Sequence, residues 1–187
     1  MASIDQISGG RFLFGIGNGW NQDEMENHGT AFSSRHKLVR ERVEAMKAIW
    51  TQDAAEYHGE FVDFGPIATW PKPVQKPHPP ILIGGAFPYS ASRAVRYGDG
   101  WMPQVTKADT TPLTELIPRF RQRAAEAGRD PAAMQIVIGA QPPDVALISR
   151  YRELGVDIVY PSLPSEREDT ILSMLDQWVQ VMRQMNG

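Results

Sequence analysis

Two rhythms of apolar residues alternate along the chain. Short continuous runs stop at glycine, and longer stretches place apolar residues at helical spacing. The first run, Phe12, Leu13, Phe14 and Ile16, leads straight into Gly15, Gly17 and Gly19. Unbroken apolarity of this length predicts a strand over 11–15 buried on both faces. Over 35–50, Leu38, Val39, Val43, Met46, Ile49 and Trp50 recur on one side, with Arg40, Glu41 and Glu44 opposite, which predicts an amphipathic helix. A strand over 81–83 is stopped by Gly84 and Gly85, and a short helix follows with Gly98 near its end as C-cap. "WMPQV" is another short apolar run. The pattern then predicts a helix over 112–127, with Thr111 as candidate N-cap and Gly128 just past the end. A β-branched strand over 135–139, a helix over 144–154 ending at Gly155, the strand "VDIVYPS" and a closing helix over 166–185 complete the series.

Five strand-then-helix units in succession imply a parallel sheet with right-handed crossovers and helices covering it. One stretch breaks the rhythm. Residues 51–80 hold a hairpin, "EYHGEFVDFG", and six prolines from Pro66 to Pro80. Proline at that density excludes helix and central strand, so the segment is an extended surface excursion. The strand-helix pattern resumes after it with the same character, which predicts one domain over 1–187.

Composition narrows the chemistry. The chain has 187 residues, 42% hydrophobic and 22% charged, with a formal charge of -3. That balance fits a globular domain with a sizeable core and argues against a sequence-independent nucleic-acid binder. There is no cysteine, hence no disulfide, thiolate nucleophile or cysteine-held metal. Neither a signal-peptide pattern nor an apolar stretch long enough to span a bilayer is visible, so the expectation is a cytoplasmic protein without membrane association. The four histidines show no metal spacing, and no metal is expected.

Four segments in order, "SGGRFLFGIGNGWNQDE", "RVEAMKAIWTQD…GEFVDF", "WPKPVQKPHPPILIGG" and "ASRAVRYGDGWMP", resemble the luciferase-like monooxygenase family. The nearest branch is its deazaflavin (coenzyme F420)-dependent oxidoreductases. The resemblance is strong over 3–103 and looser beyond. It implies a (β/α)8 TIM barrel, of which this chain holds about five βα units, the family's four to eight, with the Pro-rich excursion at 51–80. "ASIDQISGG" matches the end of the helix before the family's fourth strand. Five strands cannot close a barrel of that tilt and radius. The alternative is an open doubly wound sheet.

In a barrel the active face lies at the C-terminal ends of the strands. There the resemblance implies that the glycine loop lies against a deazaflavin or flavin ring. Gly15, Gly17 and Gly19 would let the backbone approach the ring, and the amides of Asn18 and Asn21 would address its carbonyls and nitrogens. Trp20 would form a wall of the substrate pocket. Without the family, the same glycines read as a tight turn using positive φ. In one deazaflavin branch the position matching Asn18 is a glutamate proposed as proton donor; asparagine cannot take that role, so no catalytic residue is assigned. Asp23 and Glu24 are expected in a solvated loop. The second segment, Gly84, Gly85, Ala86 and Ser90, is a strand, a glycine pair and a helix start, an arrangement suited to a phosphate. The resemblance places it along the cofactor's ribityl chain and phosphate, with Thr106 and Lys107 contributing after the next strand. Otherwise it is a glycine turn with a serine N-cap.

These readings imply an oxidoreductase or monooxygenase-like enzyme that uses F420, or alternatively FMN, for hydride transfer with a small organic substrate. The alternative is a shortened homologue that holds flavin, or acts with a partner chain, without turnover. A flavin-holding shortened barrel of this family exists in luminous bacteria. With strands missing, a homo-oligomer or a complementing chain is expected.

Overall fold

A computed structural model describes residues 1–104 and 111–186. Thr106 and Lys107 lie outside the described residues. The chain divides into two compact units, Met1–Gly84 and Gly85–Gly187.

The first unit opens with α1 (Ala2–Ser8) and β1 (Phe14–Ile16), then α2 (Gln22–Asn27), a 3-10 turn over Phe32–Ser34 and α3 (Arg35–Thr51). The hairpin β2 (Ala55–His58) and β3 (Asp63–Ile67) is antiparallel, and β4 (Ile81–Gly85) closes the unit. Strand β1 pairs parallel to β4, with Phe14 opposite Ile81 and Ile16 opposite Ile83. It starts later than the expected 11–15. The first ladder bond runs from the Phe14 amide to the Pro80 carbonyl at 2.9 Å, so Phe12 and Leu13 precede the pairing.

Buried polar groups fasten the proline-rich stretch. The Asp5 carboxylate, fully buried, accepts from the Gln75 amide at 2.9 Å and from Gln75 Nε2 at 2.7 Å. Lys72 Nζ donates to the carbonyls of Ile49 and Gln52, at 2.7 and 2.5 Å, serving carbonyls that the end of α3 leaves without helical partners. The buried Glu41 carboxylate on α3 accepts from the amides of Phe61 and Val62, 2.7 and 3.1 Å away, and so holds the hairpin loop.

The second unit contains β5 (Gly100–Pro103), β6 (Gln135–Gly139) and β7 (Ile158–Tyr160), which pair in parallel. Between and after them come α4 (Tyr89–Tyr97), α5 (Leu113–Glu126), α6 (Val145–Glu153) and α7 (Glu168–Asn186). Its core is built on Trp101 and Phe120, rings 5.2 Å apart and both fully buried, with Ile117, Ile136 and Ile138 around them. Arg121 reaches from α5 to the carbonyls of Pro131, Met134 and Gly155, tying the connections on either side of β6. Helix α6 is capped by Asp144, which accepts from the Leu147 amide at 3.0 Å. Helix α5 differs from expectation: its N-cap is Pro112, not Thr111, and no side chain caps it.

The strand order is β1-β4-β5-β6-β7. Successive strands are added on one side only, so the order never reverses as it does in doubly wound sheets. The fold is α/β, five βα units of a partial (β/α)8 barrel.

Candidate cofactor site at the strand ends

The loop after β1 starts at Gly17, which is exposed; a Cβ built there meets no described atom within 4 Å, and its backbone is not left-handed. Nothing in the described chain therefore requires glycine at this position. Asn18 is the opposite case. It is only 9% exposed, and neither its Nδ2 nor its Oδ1 has a hydrogen-bond partner among the described residues. Leaving a buried amide unpaired costs about 1–3 kcal/mol, so Asn18 carries a donor and an acceptor that no described residue satisfies. Gly15 lies within β1, opposite Leu82.

The rest of the loop has internal reasons for its residues. Gly19 is left-handed at φ 76°, and a Cβ there would fall 2.8 Å from Met25 Sδ. Asn21 is the N-cap of α2, its Oδ1 accepting from the Glu24 amide at 3.4 Å, so Nδ2 is what it retains for a ligand. Asp23 and Glu24 are not loop residues but sit in the first turn of α2, where carboxylates favour the helix dipole. Trp20, between the two, is 87% exposed.

Gly84 lies within β4, one residue before its C-terminal end. A Cβ on it would press to 3.3 Å from the Ile16 carbonyl oxygen, tighter than an ordinary contact, so the closeness of β1 and β4 favours glycine. Gly85 has φ 131°, and its Cβ would meet that of Ser90 at 3.2 Å. Ala86 is exposed. Ser90 is fully buried as the second residue of α4; Pro88, not the serine, is the N-cap. Its hydroxyl lies 2.7 Å from the Gly85 carbonyl and 2.8 Å from that of Ala86, to which it donates. It accepts from Trp101 Nε1 at 2.8 Å. Ser90 thus shapes the turn from within rather than offering its hydroxyl outward.

Phe87 was not singled out from sequence. Its ring carries the guanidinium groups of Arg119 and Arg123 at 4.7 and 5.2 Å, and the spacing of four between these arginines on α5 was the available signal. Among the described residues no group of acidic, histidine or cysteine side chains is arranged to hold a metal. No described helix is long and apolar enough to cross a membrane.

The sequence profile of the luciferase-like monooxygenases matches residues 1–142. The chain belongs to the luciferase-like monooxygenase family. An uncharacterised member from Mycobacterium tuberculosis is 37% identical over 179 residues, covering 95% of this chain and 61% of that relative. The chain thus spans about three fifths of that relative's length. A second relative, the FMNH2-dependent dimethylsulfone monooxygenase of Pseudomonas putida, is 36% identical over 131 residues, 68% of this chain and 36% of the relative. Among solved structures, the monooxygenase RslO1 from Streptomyces bottropensis superposes with a TM-score of 0.80 at 20% identity, over 100% of this chain and 72% of that one. An F420-dependent secondary alcohol dehydrogenase superposes with a TM-score of 0.71 at 17% identity, over 96% and 72%. These superpositions establish the fold.

Proposed function

We propose that this chain binds a flavin-type cofactor, coenzyme F420 or alternatively FMN, at the C-terminal ends of β1 and β4, and orients it for hydride transfer with a small organic substrate in the cytoplasm. The observation that supports this reading is the Asn18 amide, buried and unpartnered beside the exposed, unobstructed Gly17. A flat heteroaromatic ring edged with carbonyls and nitrogens suits both. The amide offers one donor group and one acceptor to the ring edge, and Gly17 leaves the backbone bare for the ring to lie against. The bound cofactor supplies the redox chemistry, and the protein supplies binding and orientation. Gly84 and Gly85 keep the neighbouring turn flush with the strand ends. Ala86 and the start of α4 are proposed to meet the cofactor's phosphate; the resemblance adds Lys107, which lies outside the described residues. Trp20 walls the substrate side.

Asn18 holds the ring but exchanges no proton near neutral pH. This favours transfer without acid assistance from that position, or, as the second reading, a chain that holds flavin without turnover. Titration with F420 and with FMN, followed by cofactor fluorescence, tests the site. Replacing Asn18 by Ala is expected to weaken binding about tenfold or more, from two amide bonds of about 1 kcal/mol each. Gly17→Val is expected to remove binding while the chain stays as soluble as before. Equal affinity in all three proteins would overturn this placement of the ring.

A further inference from the structure

Two arginines of α5 have acidic neighbours at helical spacing in their own helix. Glu115 precedes Arg119 by four residues, the order that favours an ion pair, and Glu126 follows Arg123 by three. Neither pair forms among the described residues. Glu126 accepts instead from Gln122 Nε2 at 2.8 Å, and the exposed Glu115 carboxylate has no partner among the described residues. Both guanidinium groups turn to the Phe87 ring, 4.7 and 5.2 Å from its centre. That ring is a fixed platform. Its centre lies 5.9 Å from that of the fully buried Trp101, which packs in turn on Phe120.

Two like charges drawn to one ring repel each other, and this in a chain whose formal charge is -3. Arg123 donates one N–H to Ser92 Oγ at 3.2 Å, and Arg119 makes no hydrogen bond among the described residues. The remaining N–H groups of both forks have neither an acceptor nor a neutralising charge in the described chain. A carboxylate supplies both, because its two oxygens match the planar fork. Phe87 directly follows Ala86, at the turn into α4 where the phosphate is proposed to lie. FMN ends at its phosphate, whereas F420 continues past it through a lactyl unit to glutamyl carboxylates. Resting on the cofactor reading above, we infer that Arg119 and Arg123, held on Phe87, form a subsite for carboxylates of a cofactor chain that runs beyond its phosphate, and so favour F420 over FMN.

Three probes test this on the whole chain by fluorescence titration: F420, the same deazaflavin ending at its phosphate, and FMN. The parent is expected to bind F420 at least about tenfold more tightly than the shortened deazaflavin, with the difference shrinking as salt is raised. Arg119→Gln with Arg123→Gln should bind the two deazaflavins alike. Its unchanged affinity for the shortened one, and for FMN, separates this from a loss of fold. Arg119→Lys with Arg123→Lys keeps the charge without the fork and should recover only part of the preference. Equal affinity of the parent for the two deazaflavins, a preference that survives the glutamine substitutions, or an equal loss of both ligands in that variant would overturn this inference alone. A parent that binds none of the three would overturn the cofactor reading and this subsite with it.

Discussion

Three glycines at the strand ends look alike in sequence and have three different causes. Gly19 is held by its left-handed backbone, Gly84 by the Ile16 carbonyl, and Gly17 by nothing within the described chain. Only the last points outward, and only coordinates separate it from the others. Ser90 shows the same limit. Its place after a glycine pair was legible, but its partner Trp101 lies eleven residues on, in another strand, and no local pattern announces that contact. The consequence is testable. Ser90→Ala should leave the fully buried indole N–H without an acceptor and cost about 1–3 kcal/mol of stability. Chemical denaturation reads this directly. A variant as stable as the parent would show that the indole finds another acceptor.

At the scale of elements, helices α3 to α7 and strands β4 to β7 were legible because apolar periodicity and glycine stops agree along them. Helix α2 was not. Its six residues contain a single apolar side chain, Met25, so no periodicity can form, and only the Asn21 cap with Asp23 and Glu24 behind it marks the start. The hairpin was legible too, but not its anchor. Glu41 was expected on the polar face of its helix, yet it is buried under the hairpin loop. The Phe61 amide holds its carboxyl below the ordinary glutamate value against the opposing effect of burial, with Val62 assisting. A folded-state pKa lower than the unfolded one adds stability above the unfolded value, and that stability is lost as pH falls through the folded value. Thermal melts should therefore hold steady near neutrality and fall in acid below about pH 4.5. Glu41→Gln should melt lower than the parent at neutral pH and lose less on acidification. Parallel acid profiles for the two proteins would assign the loss to other carboxylates.

For the whole molecule, the order of five βα units was readable from the alternation alone, and the family pattern added the barrel. The missing strands also implied from sequence that the edges at the first and last strands stay uncovered; the side chains exposed with them came only from the coordinates. β1 and β7 end the strand order, Ile158 and Tyr160 on β7 are exposed, and so are Ile4 and Ile7 on α1. Unpaired edges and apolar side chains in water carry a cost. At about 25 cal/mol per Å², a few hundred Å² amounts to several kcal/mol, comparable with the whole stability of a domain. The isolated chain is expected to melt below about 60 °C, with a midpoint that rises with protein concentration as association covers these surfaces. A compact monomer melting cooperatively above that temperature would show that five units can close off their own core.

The bond between Asp5 and Gln75 joins residues 70 apart in sequence. A helix of seven residues is too short to persist in water, because its nucleation cost is never recovered. Helix α1 therefore cannot act as a seed for folding. It must wait until the proline-rich stretch has come round to meet it, and it inherits whatever order that stretch has reached. Amides of the first turn then exchange with solvent at a rate set by a loop far along the chain, and the N-terminus reports on a segment it does not adjoin.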